Sequence, residues 1–278
     1  MVRRFTISNS VGRSYNLNTS DIKFFNPEGL GLKEDFDYLK VGNNYIPVNE
    51  QECQQVQIKG TLFFTGRKPY ETYNSFVKFV RQPPLVLSYT TFDSFSITVD
   101  AAELGKTELT KGGILTVPVV FLARGLWFKT LSGYIPASTG VRPVYPYTYP
   151  DVYPEEISQG VILTSDSNHP SPCKITIWGE VTNPEWRHYV NGVFIGNGKY
   201  TGTISEGHML VIDTTSIPYS IIEYDSSGVM IADRYALCDF STKRFFLLKR
   251  GKNQITISHG GLSNVAVKVE ARIEYESV

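Results

Sequence analysis

The residues that could do chemistry are few and scattered. The four histidines are His169, His188, His208 and His259, and the three cysteines are Cys53, Cys173 and Cys238. His169-x-x-x-Cys173 could bring two metal ligands together, but no second pair completes the four-ligand shell that zinc takes. The cysteine number is odd and no CxxC pair is present, so a disulfide framework is not expected. The thiols read as small buried hydrophobes of a protein made in a reducing cytosol. Carboxylates at Asp35/Asp37 or Glu155/Glu156 could serve as acid and base in glycan cleavage. With nothing to pair them across a cleft, they read better as solvated surface groups. HExxH, GxSxG, P-loop and EF-hand patterns are missing. Gly196-x-Gly198-x-x-x-Gly202 has the wrong spacing for a dinucleotide loop and no βαβ surround, and reads as hairpin-turn chemistry. No nucleophile or base stands out, so the expectation is no enzyme, no cofactor and no metal.

One binding chemistry does have candidates. A sugar needs a flat aromatic platform flanked by hydrogen-bonding groups. Trp186 and Tyr189 could supply one, with Trp178, His188 and Asn183 nearby. The competing reading packs Trp178 between sheets and Trp186 in a buried turn after Pro184, since tryptophan is mostly covered in folded domains.

The elements that must carry these residues are strands. Period-two alternation runs through Val56, Ile58, Leu62 and Phe64, with Gly60 breaking the apolar row, and through Val265 to Tyr275. Further strands are expected at 85–89, 95–99, 114–121, 157–163, 174–181, 208–213, 219–224, 244–249 and 254–258. Gly112-Gly113, Asn191-Gly192, Asn197-Gly198, Ser227-Gly228 and Gly260-Gly261 punctuate them with turn chemistry. One segment differs. Tyr70, Tyr73, Phe76, Val77 and Val80 recur at spacings of three and four, which predicts a short helix near 70–82, stopped by Pro83-Pro84.

Composition narrows the partners. The chain has 278 residues, with 27 basic and 27 acidic side chains and zero net charge. That balance argues against a general polyanion binder and against a basic membrane-surface protein. Charged residues are only 19%, while Tyr and Phe number 17 and 16. Part of the surface therefore reads as reserved for subunit or partner contacts. No run approaches the ~20 apolar residues of a membrane helix. Phe5 and Ile7 begin an alternation instead of an apolar leader core, so neither a signal peptide nor membrane attachment is expected.

The expected fold is mainly β, with two β-sandwich domains. The first, 1–135, carries the helix; 136–154 is a Tyr/Pro-rich connector, where Pro excludes a central strand; 155–278 is the second sandwich.

The ordered motifs resemble those of the siphophage distal tail proteins, tail-tip ring proteins of phages that infect Gram-positive bacteria. In the first half the likeness rests on Phe5-x-Ile7-x-Asn9, Gly12-x-x-Tyr15-x-Leu17 and Phe25-x-Pro27-x-Gly29-Leu30-Gly31. It continues through Ile58-x-Gly60-x-Leu62-Phe63-Phe64, the aromatic helix, Lys106-x-Glu108 and the strand ending in Trp127. In the second half it rests on Gly179-x-Val181-x-Asn183-Pro184, Asn191-Gly192 and Phe245-Phe246-x-Leu248-x-x-Gly251-x-Asn253-x-Ile255. The resemblance implies a galectin-like jelly roll for the second domain. It also implies a structural protein of the virion tail tip, made in the host bacterial cytoplasm. A homo-hexameric ring would join the tail tube protein to the tail-associated hub protein, and would surround a channel that DNA crosses without specific binding. The outer domain of such proteins holds a receptor-binding protein in some phages. Exposed-looking aromatics in Gly/Pro-rich turns place candidate subunit contacts at Tyr15, Phe25, Pro27 and Leu30. The alternative is a carbohydrate-binding, host-adsorption module acting through the C-terminal domain at Trp186 and Tyr189.

Overall fold

Alternation builds the opening strand, Arg4–Ser8, in which Phe5 and Ile7 are fully buried while Arg4 faces solvent. The computed structural model describes residues 3–32, 34–35, 37–48, 52–53, 55–137, 160–260 and 265–278. The expected connector at 136–154, from residue 138 onward, and the Glu155/Glu156 pair lie outside the described residues. The chain divides into two units: Met1–Lys129 with Tyr275–Val278, and Thr130–Glu274. Both are built from antiparallel strands, and the protein is mainly β with one α-helix among the described residues.

In the first unit the order runs Ser14–Asn16, Arg4–Ser8, Leu85–Thr90, Ser94–Leu104. The last of these strands serves two sheets. Up to Val99 it pairs with Leu85–Thr90; from Val99 it pairs with Leu115–Ala123. A bulge between Ala101 and Glu103 lies in the second half, where a local bend turns the corner. The second sheet continues through Gln57–Phe64 to Ile22–Glu28. One core lies within, with Phe5, Phe24, Phe64, Phe76, Phe121 and Trp127 in it.

Gly60, which interrupts an otherwise apolar row, has a packing reason. A Cβ there would collide with the Phe24 ring and come 2.9 Å from the Phe25 carbonyl oxygen. Phe24 crosses the strand at that point and meets Phe5 edge-on at 5.1 Å. The predicted helix spans Pro69–Val80, with Pro at its start, Glu71 in the first turn and Lys78 in the last, as the helix dipole favours. It buries Phe76, Phe79 and Val80. Tyr70, expected on the buried face, is instead exposed; its hydroxyl donates to Glu108 at 3.0 Å. The last residues of the chain belong to this unit: Tyr275 packs edge-on against Phe95, and the Val278 amide donates to the Leu30 carbonyl.

The second unit has two main sheets. One runs Val267–Tyr275, Ser171–Trp178, Met209–Asp213, Ser220–Tyr224, Met230–Asp233. The other runs Gly160–Ser165, Gly251–Ser258, Glu185–Val190, Val193–Lys199. Ile175, Ile177, Leu210, Ile212, Ile221 and Val269 from the first sheet are buried, as are Val161, Trp186 and Ile255 from the second. The hairpin around Asn191-Gly192 follows its sequence signal: both residues have positive φ, 51° and 82°, as a type I′ turn requires. The 244–249 segment departs from expectation. Only Leu247–Leu248 is strand there, because the Arg244 carbonyl accepts from the Trp186 indole instead of joining a ladder.

Candidate functional surfaces

The first unit carries an arm. Tyr38–Val41 and Asn44–Pro47 form a hairpin closed at Gly42-Asn43, and among the described residues its strands pair only with each other. All eight strand residues are exposed, so neither face is a core face. A two-stranded ribbon alone in water is marginal. Yet this one displays Leu39 (58% exposed), Val41, Tyr45 and Ile46 (50%), with Leu32 and Val48 exposed on the flanking chain. Scattered single apolar residues on a surface are ordinary; a cluster of this kind marks a contact surface.

The residues expected at subunit contacts separate into two groups. Phe25 is 41% exposed and meets Phe63 edge-on. Pro27 is half-buried. Tyr15 turns inward, packing against Phe76 and Phe79 of the helix at 5.5 and 4.8 Å. Leu30 packs against the core. Much of the apolar surface of Tyr15 and Leu30 is thus used inside their own unit. Nothing in the sequence marks the exposed arm that follows Leu32, because Tyr38–Pro47 alternates weakly and exposure cannot be read from residue type.

In the second unit the aromatic platform does not form. Trp186 is fully buried, and its indole N–H donates to the Arg244 carbonyl at 2.9 Å. A ring without exposed surface offers no face to a sugar. Tyr189, three positions along the same strand, lies on the opposite face and packs against Phe194. Gly198 sits opposite Trp186 in register, where a Cβ would collide with the indole. This glycine of the Gly196-x-Gly198 pattern therefore makes room for a ring.

His169 and Cys173 do not converge either. His169 Nε2 lies 3.8 Å from a Glu274 carboxylate oxygen. Cys173 is buried with its Sγ directed to the Phe246 carbonyl, and burial pushes its thiol up to about 12. No cluster of three potential metal ligands occurs among the described residues. His208 and Arg234 close on the buried Glu223 carboxylate, both at 2.6 Å. Burial alone would raise that carboxyl. The two hydrogen bonds outweigh it and hold Glu223 below the ordinary carboxylate range.

The same unit has two adjoining cavities. One, about 300 Å³, is lined by Pro170, His188, Ile195, Tyr219, Lys243, Phe245, Phe246, Leu247 and Lys249. The other, about 590 Å³, adjoins it through Tyr219 and Phe245, and adds Ser220, Asp233 and Tyr235. His188 is fully buried, and its Nε2 lies 3.0 Å from Asn253 Oδ1. The Asn253 amide nitrogen donates to the carbonyls of Lys249 and Gly251, and Oδ1 accepts from the Lys249 amide. This network orients the amide, so Nε2 of His188 carries the proton and donates. Burial holds the imidazole below its usual pKa, with Lys249 and Lys243 adding to the effect and the Asn253 bond opposing it. Its Nδ1 is therefore a lone-pair acceptor, and it has no partner among the described residues.

These features can be set beside known proteins. No curated protein sequence matches the chain. Two solved structures of the phage P2 baseplate in its activated conformation, one with Ca and one with Sr, are similar over 100% of both chains. Their TM-scores are 0.67, at 16% and 15% identity. The Dit protein (gp 19.1) of SPP1 is similar over 96% of this chain and 98% of its own, with a TM-score of 0.63 and 8% identity. At such identities the likeness is one of fold. The sequence itself supplies the closer tie, because residues 4–124 match the family described as "Distal tail protein, N-terminal domain". Residues 4–124, the stretch bearing the apolar arm, are thus similar to the N-terminal domain of phage distal tail proteins.

Proposed function

We propose that the chain forms a homo-hexameric ring at the virion tail tip. The ring joins the tail tube protein to the tail-associated hub protein and surrounds the channel through which DNA leaves. The observation that carries this reading is the arm at Tyr38–Pro47, whose apolar side chains Leu39, Val41, Tyr45 and Ile46 are exposed. A ring needs heterologous contacts, in which two different patches of each subunit meet. An arm that reaches a neighbour supplies one such patch, and the exposed Phe25 ring is a second candidate contact. The zero net charge suits a channel that lets DNA slide, since a strongly basic lining would hold phosphates.

The similar proteins are tail and baseplate components: one set comes from the phage P2 baseplate, and the SPP1 protein is described as a paradigm of hub adsorption apparatus in Gram-positive infecting phages. The chain is therefore read as a structural part, made in the host cytoplasm, with the tube and hub proteins as partners and a receptor-binding protein on the outer, galectin-like unit. Light scattering of the purified chain, with the hub protein added in a second arm, tests this. A six-chain particle in either arm is expected. Phe25→Asp should block it while leaving the monomer folded. An intact hexamer from that variant removes Phe25 from the interface, and a monomer in both arms removes the ring.

A further inference from the structure

The outer face of the first sheet in the first unit carries an inference about the channel; it rests on the ring reading above and assigns the wall which that reading leaves open. Three strands of this sheet bury one face: Phe5 and Ile7, Leu85 and Leu87, and Ile97 and Val99 are all inside. Period two therefore turns the alternate residues outward. Thr6, Ser88 and Ser96 stand in one cross-strand row, and the Ser88 and Ser96 hydroxyls are 2.9 Å apart. Thr90 and Ser94 repeat that pair at 2.9 Å in the row to one side, and Ser8 and Thr98 flank Val86 in the row to the other. The charges on this face are Arg4 at one end and Asp100 at the other, and both oxygens of Asp100 accept from Arg124 at 2.7 Å.

A face of this kind is neither an ordinary solvated one nor a contact surface. The solvated strand face elsewhere in the chain looks different: Val267–Tyr275 turns Lys268, Glu270, Arg272 and Glu274 away from the core. Interface cores gather aromatic residues and are poor in serine. The unit's other sheet has that second character, with Phe25 and Phe63 meeting edge-on on its outer face and Lys23 and Lys59 beside them. Short hydroxyl side chains leave the first sheet flat. They donate to phosphate oxygens or to bridging water. They carry no charge and release no counterions, so each contact is weak and readily exchanged. We propose that this hydroxyl face is the wall of the channel, and that its partner is duplex DNA in transit.

Ser88→Lys tests the placement, in the full chain and in whichever arm of the light-scattering experiment gives the six-chain particle. The preformed particle is mixed with a linear plasmid or with the same plasmid covalently closed, and retained DNA is measured at rising salt. A lysine on the channel wall holds only DNA that has threaded, so the linear form is expected to be retained and the closed circle is not. One lysine from each chain, about six phosphate contacts in all, should make retention fall about a thousandfold between about 50 and 200 mM salt. The wild-type particle should show no such retention. Ser94→Lys, at the exposed end of the same face, should give the same pattern, and it serves if the half-buried Ser88 position does not accept the longer side chain. A particle that retains linear DNA in neither variant overturns the assignment. Equal retention of linear and closed DNA puts the face on the outside and overturns it too. Loss of the particle at an unchanged melting temperature makes the face a subunit contact, with the same consequence. A wild-type chain that is monomeric in both arms overturns the ring reading itself, and the wall with it.

Discussion

Replacing Leu39 and Ile46 together by threonine isolates the arm's contribution to assembly. The two residues are directly opposed in the hairpin. Threonine is β-branched and favours strand at both positions, so the ribbon itself is preserved. Leu39 is 58% exposed and Ile46 50% exposed, and neither reaches the core. Burying a whole Leu or Ile side chain is worth about 1.5–3 kcal/mol, so covering the exposed half of each contributes about 1 kcal/mol. Two such residues give about 2 kcal/mol per subunit contact, or roughly thirty-fold in the association constant. Fold stability should shift by no more than ~0.5 kcal/mol, as for other surface substitutions. Sedimentation velocity over a concentration series, alone and with the hub protein, reads the first quantity; thermal unfolding reads the second. A double variant that assembles at the wild-type concentration refutes the placement of the arm at the interface. A variant that melts many degrees lower refutes the claim that the arm contributes nothing to the core.

Other outcomes follow from the interior. Trp186→Ala should cost about 3–5 kcal/mol by chemical denaturation, from the cavity and the orphaned Arg244 carbonyl. Gly198→Ala should cost about 1–3 kcal/mol through collision with the same ring. Glu223 titrates below its ordinary range in the folded state, so its stabilisation is present above the unfolded-state pKa and is lost as pH falls through the depressed value. The advantage of the wild type over Glu223→Gln should thus be full at neutral pH and vanish at strongly acid pH; a pH-independent gap contradicts the ion-pair account. In a Cys53→Ser background, Cys173 and Cys238, whose thiols burial pushes up to about 12 and about 11, should resist a thiol reagent until the protein is unfolded.

Much of the fold was legible along the chain. Phe5 and Ile7, the row from Ile58 to Phe64 and the last strand all show period-two alternation, and each buries the face that the period assigns. Asn191-Gly192 announced its turn by needing positive φ at both positions. The motif order from Phe5 to Trp127 carried the family likeness that the matched N-terminal domain bears out. Harder to read was the strand at Glu185–Val190, where a histidine stands at an inward position and breaks the apolar pattern.

What the sequence by itself determined is local: which segments alternate, where the backbone must turn, and which stretch is helical, since each depends on residues within a few positions of one another. Only the tertiary structure decided which polar and aromatic groups face inward. His188 tolerates burial because Asn253, far along the chain, accepts a hydrogen bond from its Nε2–H. Trp186 is covered because Gly198 leaves it room and Arg244 accepts its N–H. Tyr15 packs inward because the helix brings Phe76 and Phe79 to it. The arm stays exposed because no other described strand pairs with it. Burial depends on what arrives from elsewhere in the chain, and residue type and spacing do not carry that information.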